Sequence, residues 1–512
     1  PGGVARRPRV EARVAGFDAS SALEVPGVES VREVPSGIAV YAEDTYAAIQ
    51  GRRALEIDWD ETGIETRSSE ELFAMLSETA SKPGLNATLR GNPRIAIDAA
   101  EDTPDLHHVQ AEYRFPYLAH ASMEPLDALI ENDPQNPDGG VLVTMGAQGP
   151  GRDIPTIAAT LGLPLEQVRL DNQLAGGSFG RRSQHDSHFP KEAAHVFAAQ
   201  SSDASSRRPT KLLWTREDDI QGGYYRPMVV HRLEGAIDKT GQIQAWDQTV
   251  ATTSFVVGTP MEARMKNGID ITVVEGASDL AYATDNLRVT QQLVEIGIPT
   301  LWWRSVGHTH TGFAVEAFVD EMLETAGIDA VEGRLALLDE HPRHQAVLTR
   351  AAEMANWGRK LDDGVALGVA VHKSFRTTVA QIAEIELASD PERPKVRRVF
   401  CAVDCGVAVN PNVIRAQMEG GIGFGLGPTL YSEIQIAKGG GASESNLDRC
   451  QNLRLHERPE VEVAIIPSAE DPTGVGEPGV PPIAPSRARA WAWPPRAWAL
   501  GSRKLGSDPP PH

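Results

Sequence analysis

Three strand-length apolar runs follow one another in the C-terminal third of the chain, over residues 365–371, 379–387 and 396–403. They come after a single helical stretch over 331–339 rather than alternating with helices, which points to an α+β architecture and not a doubly wound parallel sheet. In the middle run Gln381, Glu384 and Glu386 alternate with apolar neighbours. That alternation predicts one wet face and one buried face.

Upstream, strand patterns over 28–34 and 37–42, a helix near 45–55 and a strand over 55–59 make a small α+β unit whose beginning is missing. Residues 62–105 are polar, with a helix over 69–80 and a Pro83-Gly84 turn, and read as a connector between domains. From 107 to 330 helices and strands intermix, including strands over 140–145 and 211–214. After Pro485 the periodicity collapses, with Trp491, Trp493 and Trp498 set among Arg, Ala and Pro. Such a composition fits a disordered tail or, by a slight preference, a reading-frame slip in a GC-rich gene. The first residue is Pro1, not Met, so the chain reads as a fragment or a processed product, with any targeting signal lying upstream.

A length of 512 residues allows about two to four domains. A net charge of −21 would repel a phosphate backbone, which argues against a nucleic-acid partner. No stretch reaches the ~18 consecutive apolar residues of a membrane span. Cys401, Cys405 and Cys450 are too few for a disulfide framework or a four-thiolate iron–sulfur cluster, and read as buried thiols. His107 with His108 and His308 with His310 are the closest histidine approaches, and read as loop or packing residues.

Several polar or glycine-rich segments carry potential chemistry. Residues 144–151 present Gln148, whose amide can donate and accept. Residues 176–182 join bare backbone, Phe179 and two arginines into a loop suited to anionic oxygens, without the Lys-Ser/Thr ending of a phosphate-hydrolysing loop. Residues 416–427 read as a helix with a small face, for a ligand or for close helix packing. Arg304, beside Trp302 and Trp303, fits either a substrate-orienting cation or a surface cation on an aromatic face. Glu477 is the only charged group within 473–482, where glycines and prolines set either a turn or a working carboxylate. No Gly-x-Ser-x-Gly elbow or His-Glu-x-x-His helix appears, so hydrolysis finds no machinery.

The order of these segments, together with residues 116–125, 303–308, 403–406 and 474–485, resembles the molybdenum-containing large subunit of the xanthine dehydrogenase and aldehyde oxidase superfamily. Within it the likeness is strongest to the isoquinoline 1-oxidoreductase beta-subunit branch, and it runs from about residue 5 to 485. The resemblance implies a partial hammerhead-like unit over 1–61, a connector over 62–106, molybdopterin-binding α+β domains over 107–330 and 331–485, and an anomalous tail over 486–512. It implies a molybdenum–molybdopterin cofactor in the cytosine dinucleotide form, with no metal ligand from a protein side chain.

By the same likeness Glu477 is the general base of an oxidative hydroxylation that takes its oxygen from water. Gln148 faces the metal's oxo ligand, and Gly177, Ser178, Phe179 and Gly180 form the loop beside the metal. Gln417, Gly420 and Gly421 fall in a dinucleotide-binding segment whose backbone amides hold phosphates, and Arg304 orients substrate. The implied substrate is an N-heteroaromatic compound of the isoquinoline kind. The alternatives are an aldehyde, with electrons passed to a membrane cytochrome, and a truncated, cofactor-free protein with a non-redox role. A small iron–sulfur subunit is the implied partner. The chain departs from the family at Ser178, where a glycine is expected, and at Ser183, where purine-oxidising relatives carry glutamate. It also lacks an upstream cofactor-binding segment and the family's closing helix after 485.

Overall fold

The computed structural model describes residues 1–6, 12–136, 139–386, 394–490 and 502–503. Three mixed, mostly antiparallel sheets of seven, six and four strands carry the fold, with a two-stranded ribbon beside them. This matches the α+β expectation. The seven-stranded sheet draws Gly2–Arg6, Val28–Val34 and Gly37–Ala42 from the N-terminal stretch and Asp127–Asn132, Val141–Met145, Val168–Asn172 and Thr210–Leu213 from beyond residue 106. The six-stranded sheet takes an edge strand, Leu85–Arg90, from the segment read as a connector. Strand pairing therefore crosses the sequence divisions at 61 and 106.

The helix over Ser69–Ala80 has the bounds its pattern predicts, because Ser68 and Glu71 close a capping box at its start. The helix over His308–Thr325 is buried on nearly every side. It packs against the six-stranded sheet and the first strand of the four-stranded sheet, within the largest core cluster. Among the described residues no helix is long and apolar enough to cross a membrane.

The four-stranded sheet, formed by Val365–Ser374, Thr377–Glu386, Lys395–Asp404 and Glu460–Ile465, corrects one expectation. Its second strand has no wet face, since Thr377 to Ile385 are all buried. One side, with Ala380 and Ile382, belongs to the largest core. The other, with Val379, Ala383 and Ile385, packs on Met418, Ile422 and Leu426 of the Pro411–Leu430 helix. The polar residues that mimic a solvent face instead form bonds within the protein. Gln381 Nε2 donates to the Gly479 carbonyl at 2.9 Å, and Glu384 accepts from Arg398 at 2.9 Å and from Arg359.

The expectation that regular structure ends at Pro485 is also corrected. A helix spans Ile483–Ala490, and Ile483, Ala484 and Ser486 are buried beneath it. Pro485 sits in its first turn, where a missing N–H costs little. A short strand, Ser502–Arg503, pairs with Arg114 and Tyr113. Residues 491–501 and 504–512, where the frame-slip reading mainly falls, lie outside the described residues. Cys401, Cys405 and Cys450 are free and buried, as expected, and burial pushes the Cys401 thiol up to about 12.

Candidate functional site

The segments singled out in the sequence meet where the sheets' connecting loops converge. Gln148 follows the strand Val141–Met145 and precedes the helix Pro150–Leu161. Its backbone N–H donates to the Arg182 carbonyl at 3.2 Å, which sets the 146–149 turn beside the 176–182 loop. In that loop Gly177 (φ 102°), Phe179 (φ 58°) and Gly180 (φ 111°) are left-handed. A Cβ on Gly180 would stand 2.5 Å from the Trp302 carbonyl, so only glycine fits. Phe179 bears a side chain in a conformation that ordinarily disfavours one, and the surrounding bonds hold it there. Arg182, almost wholly buried, reaches the carbonyls of Gly177, Glu124 and Pro125 and the Glu124 carboxylate, clasping the loop to residues 116–125.

Ser178, the residue in place of the expected glycine, is wired into the loop. Its hydroxyl donates to Gln148 Oε1 and accepts from the Arg182 N–H at 3.0 Å. With Oε1 so engaged, the Gln148 amide presents its N–H₂ outward. Ser183 is held by Arg152, whose guanidinium also lies 5.5 Å from the Trp302 ring.

From Phe179 an aromatic stack crosses the site. Phe179 lies on Phe424 at 4.2 Å, and Phe424 lies on Trp303 at 4.3 Å, each pair inclined by 26°. Phe424 belongs to the Pro411–Leu430 helix, so the stack joins three segments more than a hundred residues apart. Next to Trp303, Arg304 donates through Nε to the Gly476 carbonyl at 2.8 Å and through Nη2 to Gln417 Oε1 at 3.0 Å. Its guanidinium thus braces the Glu477 loop against the helix.

The Glu477 loop is fixed at both ends. The Thr473 N–H donates to the Cys405 carbonyl at 2.9 Å, Thr377 Oγ1 donates to the Gly474 carbonyl at 2.7 Å, and Gln381 holds Gly479. Glu477 Oε1 accepts the Ser305 N–H at 2.9 Å, while Ser305 Oγ donates to the Glu477 carbonyl at 2.7 Å. Ser305 (φ 82°) and Val306 (φ 51°) are both left-handed, a strained turn for a β-branched residue. Burial raises the Glu477 carboxyl above the usual range, opposed by the Ser305 N–H and the Arg304 charge. Burial likewise lowers Arg304, which keeps its charge at any working pH.

The glycines of the 411–430 helix divide by direction. A Cβ on Gly421 would lie 3.0 Å from the Gly479 backbone, so this glycine seats the Glu477 loop. Gly425 likewise makes room for Ile483, 2.6 Å from a Cβ placed there. Gly420 and Gly423, three residues apart, face open space, as does Gly476. These bare positions make a cradle that side chains would fill, and it suits a flat, extended cofactor. One expectation is corrected here. Residues 417–421 lie inside the helix, where their N–H groups serve intrahelical bonds and not phosphates. The donors left are the Gln417 amide and the N–H groups of Gly177 to Gly180, which donate to no group among the described residues.

The expected site residues are therefore brought into one region, where Gly180 and Gly421 pack against neighbouring backbone. Sequence reasoning missed Phe424, Ser305 and Arg152. Phe424 stands inside the glycine-rich segment, and its aromatic ring among glycines was the available signal. Among the described residues no group of three or more His, Cys, Asp or Glu gathers to hold a metal ion.

Comparison with known proteins gives two family matches, both described as a molybdopterin cofactor-binding domain, over residues 81–337 and 328–459. The chain is 29% identical to isoquinoline 1-oxidoreductase subunit beta of Brevundimonas diminuta, over 93% of this chain and 60% of the relative. It is 28% identical to a membrane-bound aldehyde dehydrogenase of Gluconacetobacter polyoxogenes, over 94% of this chain and 65% of the relative. The chain thus spans less than two thirds of either relative. Its fold is similar to quinoline 2-oxidoreductase from Pseudomonas putida 86, with a TM-score of 0.78, 14% identity, and coverage of 96% of this chain and 91% of that one. With both matched segments meeting around one cradle, the chain belongs to the molybdopterin cofactor-binding domain family.

Proposed function

We propose that this chain is the catalytic subunit of a molybdenum hydroxylase that oxidises an N-heteroaromatic carbon next to nitrogen, with water as the oxygen source. The observation that carries the reading is Glu477: a half-buried carboxylate with one oxygen held by the Ser305 N–H, beside the Phe179, Phe424 and Trp303 stack. The molybdenum–molybdopterin group, when bound, supplies activation of water at neutral pH and a two-electron sink.

The protein's share is positioning and proton transfer. With Oε1 engaged, Oε2 is the atom of Glu477 free to take a proton, and the rigid loop aims it. Burial raises the carboxyl's basicity. Gln148 offers a directed N–H₂, fixed by Ser178. The Gln417 amide, the open Gly420–Gly423 face and the Gly177 to Gly180 amides would hold the cofactor, in its cytosine dinucleotide form. Arg304 would contribute by holding the Glu477 loop and, through its remaining N–H groups, by orienting substrate. Electrons would leave through a small iron–sulfur subunit, since the three buried thiols of this chain form no cluster set.

Aldehyde oxidation with a cytochrome acceptor is the second reading, favoured by the comparable likeness to the aldehyde dehydrogenase. A cofactor-free role leaves the open glycine face and the unpaired loop amides without a purpose. The test is turnover of isoquinolines, nicotinate and aldehydes with an artificial electron acceptor, comparing wild type with Glu477→Gln. The variant should keep its molybdenum and lose about 10²- to 10⁴-fold in turnover. Wild-type turnover in the variant, or absence of molybdenum from protein made together with its partner, would overturn the reading.

A further inference from the structure

Oxidative hydroxylation with water releases two protons and two electrons per carbon–hydrogen bond converted. An enclosed base must therefore pass its proton outward before it can act again. Titratable side chains stand in file behind Glu477. The Ser305 N–H is bound to Glu477, and two residues on the Gly307 N–H donates to Glu275 Oε1 at 2.8 Å. The two carboxylates thus flank one short turn, close enough that the Glu477 charge acts on Glu275. Glu275 Oε2 lies 3.6 Å from His308 Nε2, a separation that a small side-chain rotation closes. His308 Nδ1 is 2.9 Å from His372 Nε2. His372 lines a cavity of about 140 Å³ together with Asp279, His341, His344 and Lys373.

The meeting of the two imidazoles depends on Gly276 (φ 80°). A Cβ there would stand 2.8 Å from His308 Nδ1 and 2.8 Å from His372 Cε1. Both rings are buried, at 6% exposure each.

We propose that Glu275, His308 and His372 form a proton relay from Glu477 to this cavity, an inference that rests on the general-base reading of Glu477. Glu275 passes its proton to His308 Nε2. His308 releases one from Nδ1 to His372 Nε2, and His372 releases one from Nδ1 to water in the cavity. Glu275, left as a carboxylate, then takes the proton held by Glu477 through an intervening water, and both imidazoles return to their Nδ1–H tautomers by ring rotation before the next passage. No bond to carbon changes and no electron moves along the file.

The resting state suits this traffic. Burial pushes Glu275 up to about 8 and draws His308 down to about 4 and His372 down to about 3, so at neutral pH all three are uncharged. A neutral imidazole carries one N–H and one lone pair, and can accept at one nitrogen while releasing at the other. The charged or titratable neighbours are Glu477, Asp270 and Asp279 for Glu275, His372, His310 and Glu275 for His308, and His308, Asp279 and His344 for His372. These three act through Glu477 and not on substrate.

The test uses the enzyme with its partner subunit and the variants His372→Gln and Glu275→Gln, which keep size and polarity but cannot pass a proton on. Both should retain molybdenum and KM, while kcat in weakly buffered solution falls at least ~10-fold, recovers saturably with added imidazole, and shows a larger solvent isotope effect. Unchanged kcat in both, or a loss that imidazole does not restore, overturns the relay. Nitrogen-15 histidine spectra of protein made without molybdenum give an independent readout. A hydrogen-bond coupling between His308 Nδ1 and His372 Nε2 supports the file, and its absence overturns it. If wild type oxidises no substrate of the panel, the functional reading fails separately, and these spectra still report on the file.

Discussion

Gly420 and Gly421 are adjacent in one helix, yet the structure gives alanine opposite effects at the two positions. Alanine gains up to about 1 kcal/mol over glycine inside a helix. At Gly420 no atom lies within 4 Å of the new Cβ, so the gain stands. At Gly421 the Cβ meets the Gly479 carbonyl carbon at 3.0 Å, its Cα at 3.1 Å and the Val480 nitrogen at 3.3 Å. These are backbone atoms of a loop pinned by Gln381 and Thr377, and they cannot swing aside. Overpacking of this kind costs about 1–3 kcal/mol, which leaves Gly421→Ala between neutral and roughly 2 kcal/mol destabilised. Hydrogen exchange on cofactor-free protein reads both changes locally. In Gly420→Ala, exchange across 411–430 should slow by up to about 5-fold. In Gly421→Ala, exchange across 473–482 should accelerate by up to about 30-fold. Once loaded, Gly420→Ala should lose cofactor content, because its methyl group enters the cradle. Gly421→Ala should keep cofactor and lose turnover, because it displaces Glu477. A destabilised helix in Gly420→Ala, or slower exchange in both segments of Gly421→Ala, would refute the division of the glycine face.

Arg304→Lys removes the two-pronged brace on Gly476 and Gln417, and steady-state kinetics should show kcat down by about 10- to 100-fold. A rise in KM alone would mean that Arg304 acts on substrate and not on the loop. Phe424→Ala removes the middle ring of the stack and should cost about 2–3 kcal/mol in denaturant unfolding; unchanged stability would show that the stack contributes nothing. Glu275 has its folded-state pKa raised to about 8 from 4.5, so the folded protein holds a proton that the unfolded chain has lost. Its contribution to stability is therefore full below the unfolded value and declines as pH rises through this window, by about 1.4 kcal/mol per pH unit at the steepest. Glu275→Gln should remove that slope between pH 5 and 8, and a stability profile parallel to wild type would contradict the assignment.

Much of the fold was legible from local pattern. The Ser69–Ala80 helix and the strands over 28–34, 37–42 and 365–404 stood out as regular segments between turn residues, and the capping box at Ser68 and Glu71 accounts for the start of the helix. Where pattern misled, tertiary contact was the reason. Gln381 and Glu384 carry the alternation of a half-wet strand, but a helix covers one face and the main core the other, so their polarity serves buried bonds. Helix formation at Ile483–Ala490 is fixed by burial of its first turn, which periodicity over so few residues does not reveal.

For the candidate site, the sequence by itself determined which residue types were present and in what order: a lone carboxylate between glycines, a glutamine after a strand, an aromatic among glycines, and a small-faced helix. Spacing along the chain said nothing about which of them touch. The tertiary structure decided that Phe179, Phe424 and Trp303 form one stack, that Arg304 ties the Glu477 loop to Gln417, and that Gly421 packs while Gly420 stays open. It also decided that Glu275 and two histidines stand behind Glu477. The physical reason is common to all of these. Propensity and periodicity act over a few residues, whereas stacking, loop bracing and shifts of carboxyl basicity depend on groups that only folding brings within a few ångströms.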